Sequence, residues 1–139
     1  MNMRPLLCAS LATALLGGCG PSAGPDAAPA IAPTQVAAVQ TPPPDYPIEL
    51  ACMGVGGKSV LNVVVGTEGT PTEVKLQTSS GNPQLDESAQ RRVREWKFKP
   101  ATRNGQPVPT TIQVPVSFNP PQPRPDECFA IEERLRRGG

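Results

Sequence analysis

The sequence contains no histidine. Histidine is the commonest general base at neutral pH and the commonest zinc ligand, so its absence argues against the usual forms of acid–base and zinc catalysis. Aromatic residues are also scarce, at 4% of 139 residues, whereas 19 residues are proline. We therefore expect an ordered core that is small and that occupies only part of the chain.

An excess of charge of either sign is missing as well. The 13 basic and 12 acidic residues give a net charge of +1, whereas a nucleic-acid-binding surface is strongly basic. The acidic side chains are predicted to be scattered over exposed faces, with no nucleophile and base beside them. They are Glu49, Glu68, Glu73, Asp86, Glu87 and Glu95. We therefore predict that the chain is not an enzyme, and we expect no cofactor, metal, small-molecule substrate or nucleic acid.

The longest apolar run lies near the N-terminus and is too short to span a bilayer as a helix of a mature protein. Residues 1–18 combine Arg4 with this run, which is typical of an export signal. The run ends in Leu16-Gly17-Gly18-Cys19, which resembles the lipobox of bacterial lipoproteins and predicts lipid on Cys19. By the same resemblance, Gly20 indicates anchoring in the outer membrane, facing the periplasm. The alternative is an ordinary cleaved signal with a chance cysteine.

The next segment, residues 19–45, is rich in proline and alanine and nearly lacks large apolar side chains. Such a segment cannot bury enough surface to offset the entropy of ordering, so we predict a disordered tether. The domain itself is expected over residues 46–119. Residues 120–139 are predicted to form a proline-rich exit and a short terminal helix.

The four cysteines are divided by these boundaries. Cys8 leaves with the signal and Cys19 would carry the lipid, which leaves Cys52 and Cys128. An even pair in an oxidising compartment favours a disulfide. Two alternatives are a metal site, for which two thiolates without histidine are an incomplete ligand set, and two unrelated free thiols.

A single amphipathic helix is predicted in the second half of the chain. At about 100° per residue its apolar side chains fall within an arc of roughly 80°, and Pro100 prevents the helix from continuing. Either Asn82 or Asp86 could cap its N-terminus. The apolar stripe consists of Leu85, Ala89, Val93 and Trp96.

Three segments alternate apolar and polar residues, as half-buried strands do, with two before the helix and one after it. If all pairings are antiparallel, the first strand is central and the order is second–first–third. The predicted fold class is therefore α+β, a two-layer ββαβ domain with one main helix on one face of a three-stranded antiparallel sheet. Besides the helix stripe, the predicted core is Leu61, Val63, Val74, Leu76, Phe98, Val114, Val116 and Phe118. We expect Trp96 to contact the first four of these.

In this arrangement the third strand is an edge, and Pro115 lies within it. Because proline has no N–H, it belongs where that group would point away from the neighbouring strand. The residues of the same parity, Thr111, Gln113 and Ser117, should likewise direct their backbone groups outward. One interpretation is that Pro115 guards the edge against aggregation. The other is that the edge accepts an extended peptide as an added strand.

Several short motifs occur in a fixed order, and together they resemble the C-terminal domain of TonB-type energy transducers over about residues 45–119. They are Tyr46-Pro47, Gly57 before a valine-rich strand, Gly69, Ser79-Ser80-Gly81, Leu85-Asp86, Trp96-Lys97-Phe98-Lys99-Pro100-Ala101, Gly105 and Val114-Pro115-Val116-Ser117-Phe118. The resemblance implies a periplasmic domain whose last strand, here residues 110–118, pairs with a segment of a TonB-dependent outer-membrane receptor.

The predicted lipid anchor differs from the transmembrane helix with which typical members of that family begin. A lipid cannot transmit force from a motor that grips a helix, so family membership alone does not imply energy transduction. Two functions follow as hypotheses. The first is a binding module for receptor segments in TonB-dependent transport; the alternative is a structural envelope lipoprotein that uses the same fold to hold a protein or the cell wall.

Overall fold

The computed structural model describes residues 30–138, so the predicted signal, the lipidation site at Cys19 and the first part of the predicted tether lie outside the described residues. The elements in chain order are β1 (Ala37–Gln40), α1 (Ile48–Cys52), β2 (Gly57–Val65), β3 (Pro71–Thr78), α2 (Pro83–Val93), β4 (Lys97–Lys99), β5 (Ala101–Arg103), β6 (Gln106–Val108), β7 (Thr110–Phe118) and α3 (Glu127–Arg137).

The main sheet has the order β3-β2-β7, and both pairings are antiparallel. β2 and β7 pair without interruption from Gly57 opposite Phe118 to Val65 opposite Thr110. The β2–β3 ladder contains two irregularities. The predicted α+β class and the strand order are therefore confirmed.

Helix α2 packs on β2 and β3 through its apolar stripe, in which Leu85, Ala89 and Val93 are completely buried. Asn82 is the N-cap: its side-chain oxygen accepts hydrogen bonds from the next helical N–H groups, at 2.9 Å from Gln84 and 3.4 Å from Leu85. Of the two predicted caps, the structure thus has Asn82 and not Asp86.

The apolar stripe predicted a helix that continues to Trp96. The helix is shorter, because it ends at Val93, three residues earlier. Two tight backbone hydrogen bonds close the turn that follows, from Glu95 N to Arg92 O and from Trp96 N to Val93 O. The turn keeps Trp96 half-buried against the main core, and its indole Nε1 donates to the carbonyl of Pro42 at 2.9 Å.

Residues 34–45, which we call the N-terminal strap, lie along the domain, so the expectation of a disordered tether up to residue 45 is wrong for this part. β1 pairs with β4, and Thr34 exchanges two backbone hydrogen bonds with Thr102. Asp45 is held on α2, where its carboxylate pairs with Arg92 and its carbonyl accepts a hydrogen bond from the Ser88 hydroxyl. β1 leaves no signal in the sequence, because all four of its side chains are exposed and backbone hydrogen bonds to β4 hold it in place of an apolar pattern.

Most of the predicted core lies in one cluster on the helix-covered face of the sheet. Val74 and Trp96 are partly buried there, and the buried members include Leu61, Val63, Leu85, Ala89, Val93, Phe98, Val114, Val116 and Phe118. The prediction that Leu76 belongs to the core is wrong, since this residue is 38% exposed. Leu76 lies opposite Leu61 on the outer strand β3. The single helix of 11 residues on this face leaves the side chains of that outer strand partly uncovered.

A disulfide joins Cys52 in α1 to Cys128 in α3. Both sulfurs are buried, and Ile131 completes a small second cluster around them. α3 begins two residues after Pro125, and Cys128 lies in its first turn. Within residues 30–138, no helix has both the length and the apolar character needed to cross a bilayer.

Candidate functional site

The candidate site is the outer edge of β7. No strand among residues 30–138 pairs with this side of β7. The side chains of Thr111, Gln113, Pro115 and Ser117 are all exposed, whereas those of the alternate residues Val114, Val116 and Phe118 are buried. The structure thus brings the four predicted edge residues together on one open strand.

The direction of the backbone groups follows from Pro115. It lies opposite Val60, and since proline cannot donate to the ladder, this is a pair without backbone hydrogen bonds. Because the register between β2 and β7 is unbroken, every second residue of β7 behaves in the same way. The N–H groups of Thr111, Gln113 and Ser117 therefore point away from the sheet, with a missing donor at Pro115.

The two outer strands of the sheet differ in charge. β7 contains no charged residue between Thr110 and Phe118, whereas β3 carries an exposed ion pair between Glu73 and Lys75. Charged side chains are a common protection of edge strands against unwanted pairing. The β7 edge therefore lacks this charged protection, and Pro115 is the edge-protecting residue that it carries.

A tight hairpin precedes β7, and an aromatic contact holds its C-terminal end. Before it, the β5–β6 hairpin turns through Asn104 and Gly105, whose φ angles are 52° and 75°. After it, the Phe118 ring meets the Tyr46 ring edge-on, with 5.4 Å between the centroids. An edge held in this way needs little reorganisation when a partner strand binds.

The prediction that Asp86 lies on an exposed face is also wrong, because this residue is only 6% exposed. One of its oxygens accepts a hydrogen bond from the Ser59 hydroxyl and one from the Ser80 N–H, both at 2.7 Å, and the other oxygen accepts one from the Ser79 hydroxyl. Burial alone would raise the pKa of this carboxyl, but the hydrogen bonds outweigh it and hold the pKa below its ordinary value. Asp86 thus joins α2 to β2 and to the loop after β3.

Among residues 30–138 there is no group of three or more His, Cys, Asp or Glu side chains placed to hold a metal ion. The Asp86 carboxylate is surrounded by hydroxyl and amide donors, and these hydrogen bonds stabilise the packing of α2 against β2. The arrangement as a whole is suited to binding through backbone groups.

These features define a small α+β domain with one uncharged and unpaired strand edge. The family model for the C-terminal region of Gram-negative bacterial TonB proteins matches residues 42–120. The chain therefore belongs to the TonB C-terminal family.

Curated relatives agree with this assignment. Protein TonB of Xanthomonas campestris pv. campestris is 41% identical over 76 residues, which is 55% of this chain and 34% of the relative. Protein tonB2 of Pseudomonas aeruginosa is 35% identical over 80 residues, which is 58% of this chain and 30% of the relative. The chain thus matches only about a third of the length of these relatives.

A solved structure supports the fold. The solution NMR structure of the Pseudomonas aeruginosa TonB C-terminal domain superposes with a TM-score of 0.55 at 17% identity. The superposition covers 66% of this chain and 92% of the solved one. At this level of identity, the likeness concerns the fold alone.

Proposed function

We propose that this domain binds an extended segment of a TonB-dependent outer-membrane receptor by adding it as a fourth strand to β7. The observation that carries the proposal is the open outer edge of β7, with exposed Thr111, Gln113 and Ser117 and no charge along the strand. Backbone hydrogen bonds from such an edge supply affinity for an extended peptide of permissive sequence. Membership of the TonB C-terminal family supports the choice of receptor segments as partners.

We further infer that the protein works in the periplasm, with the domain beginning at the strap and anchored to the outer membrane by lipid on Cys19. The Leu16-Gly17-Gly18-Cys19 motif and the Gly20 that follows support the anchor. The Cys52–Cys128 bond supports the compartment, since disulfides persist in oxidising environments. The proposed role is that of a binding module in TonB-dependent transport, and family membership alone does not extend it to energy transduction.

A titration tests the proposed function directly. The full chain with Cys8→Ser and Cys19→Ser, labelled with ¹⁵N, is titrated with peptides from the N-termini of TonB-dependent receptors. We expect the amide signals of Thr111, Gln113 and Ser117 to shift and saturate, because these N–H groups point toward the added strand. The Glu73 and Lys75 amides on the opposite outer strand serve as an internal control and should stay unchanged.

The proposal would be overturned if the peptide shifted the amide signals of β3 and left those of β7 unchanged. So would a complete lack of binding to receptor peptides. If crosslinking in cells then recovered an envelope protein of another class or the cell wall, the chain would be a structural lipoprotein that uses the same fold.

A further inference from the structure

The C-terminal end of β7 lies inside a closed circuit of contacts. The chain leaves β7 at Phe118, passes through residues 119–126 and enters α3. α3 returns to α1 through the bond between Cys128 and Cys52. The residues that flank α1 on both sides, Tyr46 and Gly56, then contact Phe118 again.

The two contacts that close this circuit are close and specific. The Tyr46 ring lies at 70° to the Phe118 ring, and its hydroxyl donates a 2.7 Å hydrogen bond to the carbonyl of Val55. At Gly56, a Cβ atom would lie 2.5 Å from the Phe118 carbonyl oxygen and 2.7 Å from Pro120 Cδ. The backbone before β2 therefore touches the end of β7 with no room for a side chain.

The return path through α3 is itself braced. Arg124 forms an ion pair with Glu132, and its guanidinium carbon lies 5.9 Å from the centre of the Phe129 ring. Cys128 is fully buried and Ile131 is 7% exposed in their shared cluster with Cys52. α3 is therefore a packed part of the domain and is tied to α1 covalently.

We propose that the disulfide-linked helix α3 holds the C-terminal end of β7 in its paired conformation and so keeps the outer edge preformed for its partner. The proposal deepens the proposed function, on which it rests for the identity of the partner. Ser117 supplies the outward N–H nearest to this end. If the end of the strand frays, that N–H is available only part of the time, and the apparent affinity falls with the ordered fraction.

The family match ends at residue 120, so α3 and Cys128 lie beyond it. The edge strand of the matched region therefore has, in this chain, an additional covalent support. The consequence is that the conformational order of the binding edge depends on the Cys52–Cys128 disulfide, which lies outside the edge itself.

The test compares the oxidised and reduced forms of one protein, the full chain with Cys8→Ser and Cys19→Ser. Dithiothreitol transfers two electrons and two protons to the bond, which gives two thiols and the cyclic disulfide of the reagent. In the oxidised form we expect backbone order parameters of about 0.85 at Ser117 and Phe118; on reduction they should fall below about 0.6, while those of the β2–β3 pairs stay high. The affinity for the receptor peptide should fall about threefold to tenfold.

The control is Cys52→Ala/Cys128→Ala in the same background, whose order parameters should match the reduced form and should not respond to dithiothreitol. Unchanged order at Ser117 and Phe118 after reduction would overturn the proposal, and so would an equal loss of order throughout the sheet. The relaxation measurement needs no peptide. If the end of β7 loosens but no receptor peptide binds either form, the holding role stands and the proposed function fails.

Discussion

Asp86 is a buried carboxylate in the first turn of α2. A charged side chain in the first turn of a surface helix ordinarily faces water, and aspartate is rarely buried unless it is paired. Here Ser79 and Ser80, in the loop after β3, donate hydrogen bonds to the carboxylate, and Ser59 donates another from β2. The Ser79-Ser80-Gly81 motif could be recognised in the sequence, but the third donor, Ser59, lies 27 residues before Asp86 and is brought to it only by the fold.

The pH dependence of stability follows from this site. Because the pKa of Asp86 is lower in the folded protein than the value of about 3.9 of an unfolded chain, the folded state binds fewer protons. Its contribution is therefore complete above the unfolded pKa and is lost as the pH falls through the folded pKa. We expect the free energy of unfolding, measured with urea, to decrease on acidification below about pH 4.

The variant Asp86→Asn isolates that contribution. It removes the charge and replaces one acceptor oxygen by a donor. We therefore expect the free energy of unfolding to fall by roughly 1–3 kcal/mol at pH 7 and to depend less on pH in the acid range. Exposed Glu87→Gln, on the same helix, is the control and should change neither value. If the free energy of unfolding decreases equally on acidification in the wild type and in Asp86→Asn, Asp86 is not the group responsible for the decrease.

Gly69 and Gly81 give a matched pair at the residue scale. Their φ angles are +79° and +95°, so alanine is strained at both positions by about 1–2 kcal/mol. At Gly69 a Cβ atom would also lie 2.0 Å from the Phe98 carbonyl oxygen, whereas at Gly81 it would meet open space. We therefore expect Gly69→Ala to destabilise the protein by at least about 1 kcal/mol more than Gly81→Ala in urea unfolding.

At the scale of elements, β7 shows what an edge proline determines. Gln113→Pro places a second proline in the same phase as Pro115, so it removes an outward N–H and leaves the ladder to β2 intact. We expect about threefold to tenfold weaker binding of the receptor peptide, equivalent to one hydrogen bond, with unchanged stability. Gln113→Ala loses only the side-chain bond to Gln77 and should bind as wild type does.

Pro115→Thr makes the reverse change and restores an outward N–H. Binding should become stronger by a similar factor for the same reason. If Pro115 also guards the edge, this variant will self-associate at lower concentration, which sedimentation velocity detects. Stronger self-association with no gain in peptide binding would leave the guard as the only function of Pro115.

The order of predictability among the elements has a physical basis. β2, β7 and α2 bury a face, and burial imposes a period of two or 3.6 residues that can be read from sequence. β1 and β4 to β6 have three or four residues each, and β1 buries no side chain, so they leave no period to detect. The β7 edge could be predicted because a single residue, Pro115, fixes the phase of a strand that was already recognised.

At the scale of the whole molecule, the Cys52–Cys128 bond encloses the entire main sheet. The cysteines are 76 positions apart, with α1 before the first sheet strand and α3 after the last. Closing a loop of this length restricts the unfolded chain, and the chain-entropy model gives about 4 kcal/mol. We expect Cys52→Ala/Cys128→Ala to lower the free energy of unfolding by about that amount in urea, with reduced wild type as the matched comparison. An unchanged urea midpoint would contradict this prediction.

The N-terminal strap lies between the sheet and any tension that is applied to the domain from its N-terminal side. Tension that arrives along the chain first meets the Thr34–Thr102 bonds, then the β1–β4 ribbon, and then the hydrogen bond from Trp96 to Pro42. Only after these give way does the load reach Asp45 on α2. Three successive sets of hydrogen bonds thus separate the sheet from a load on the N-terminal part of the chain.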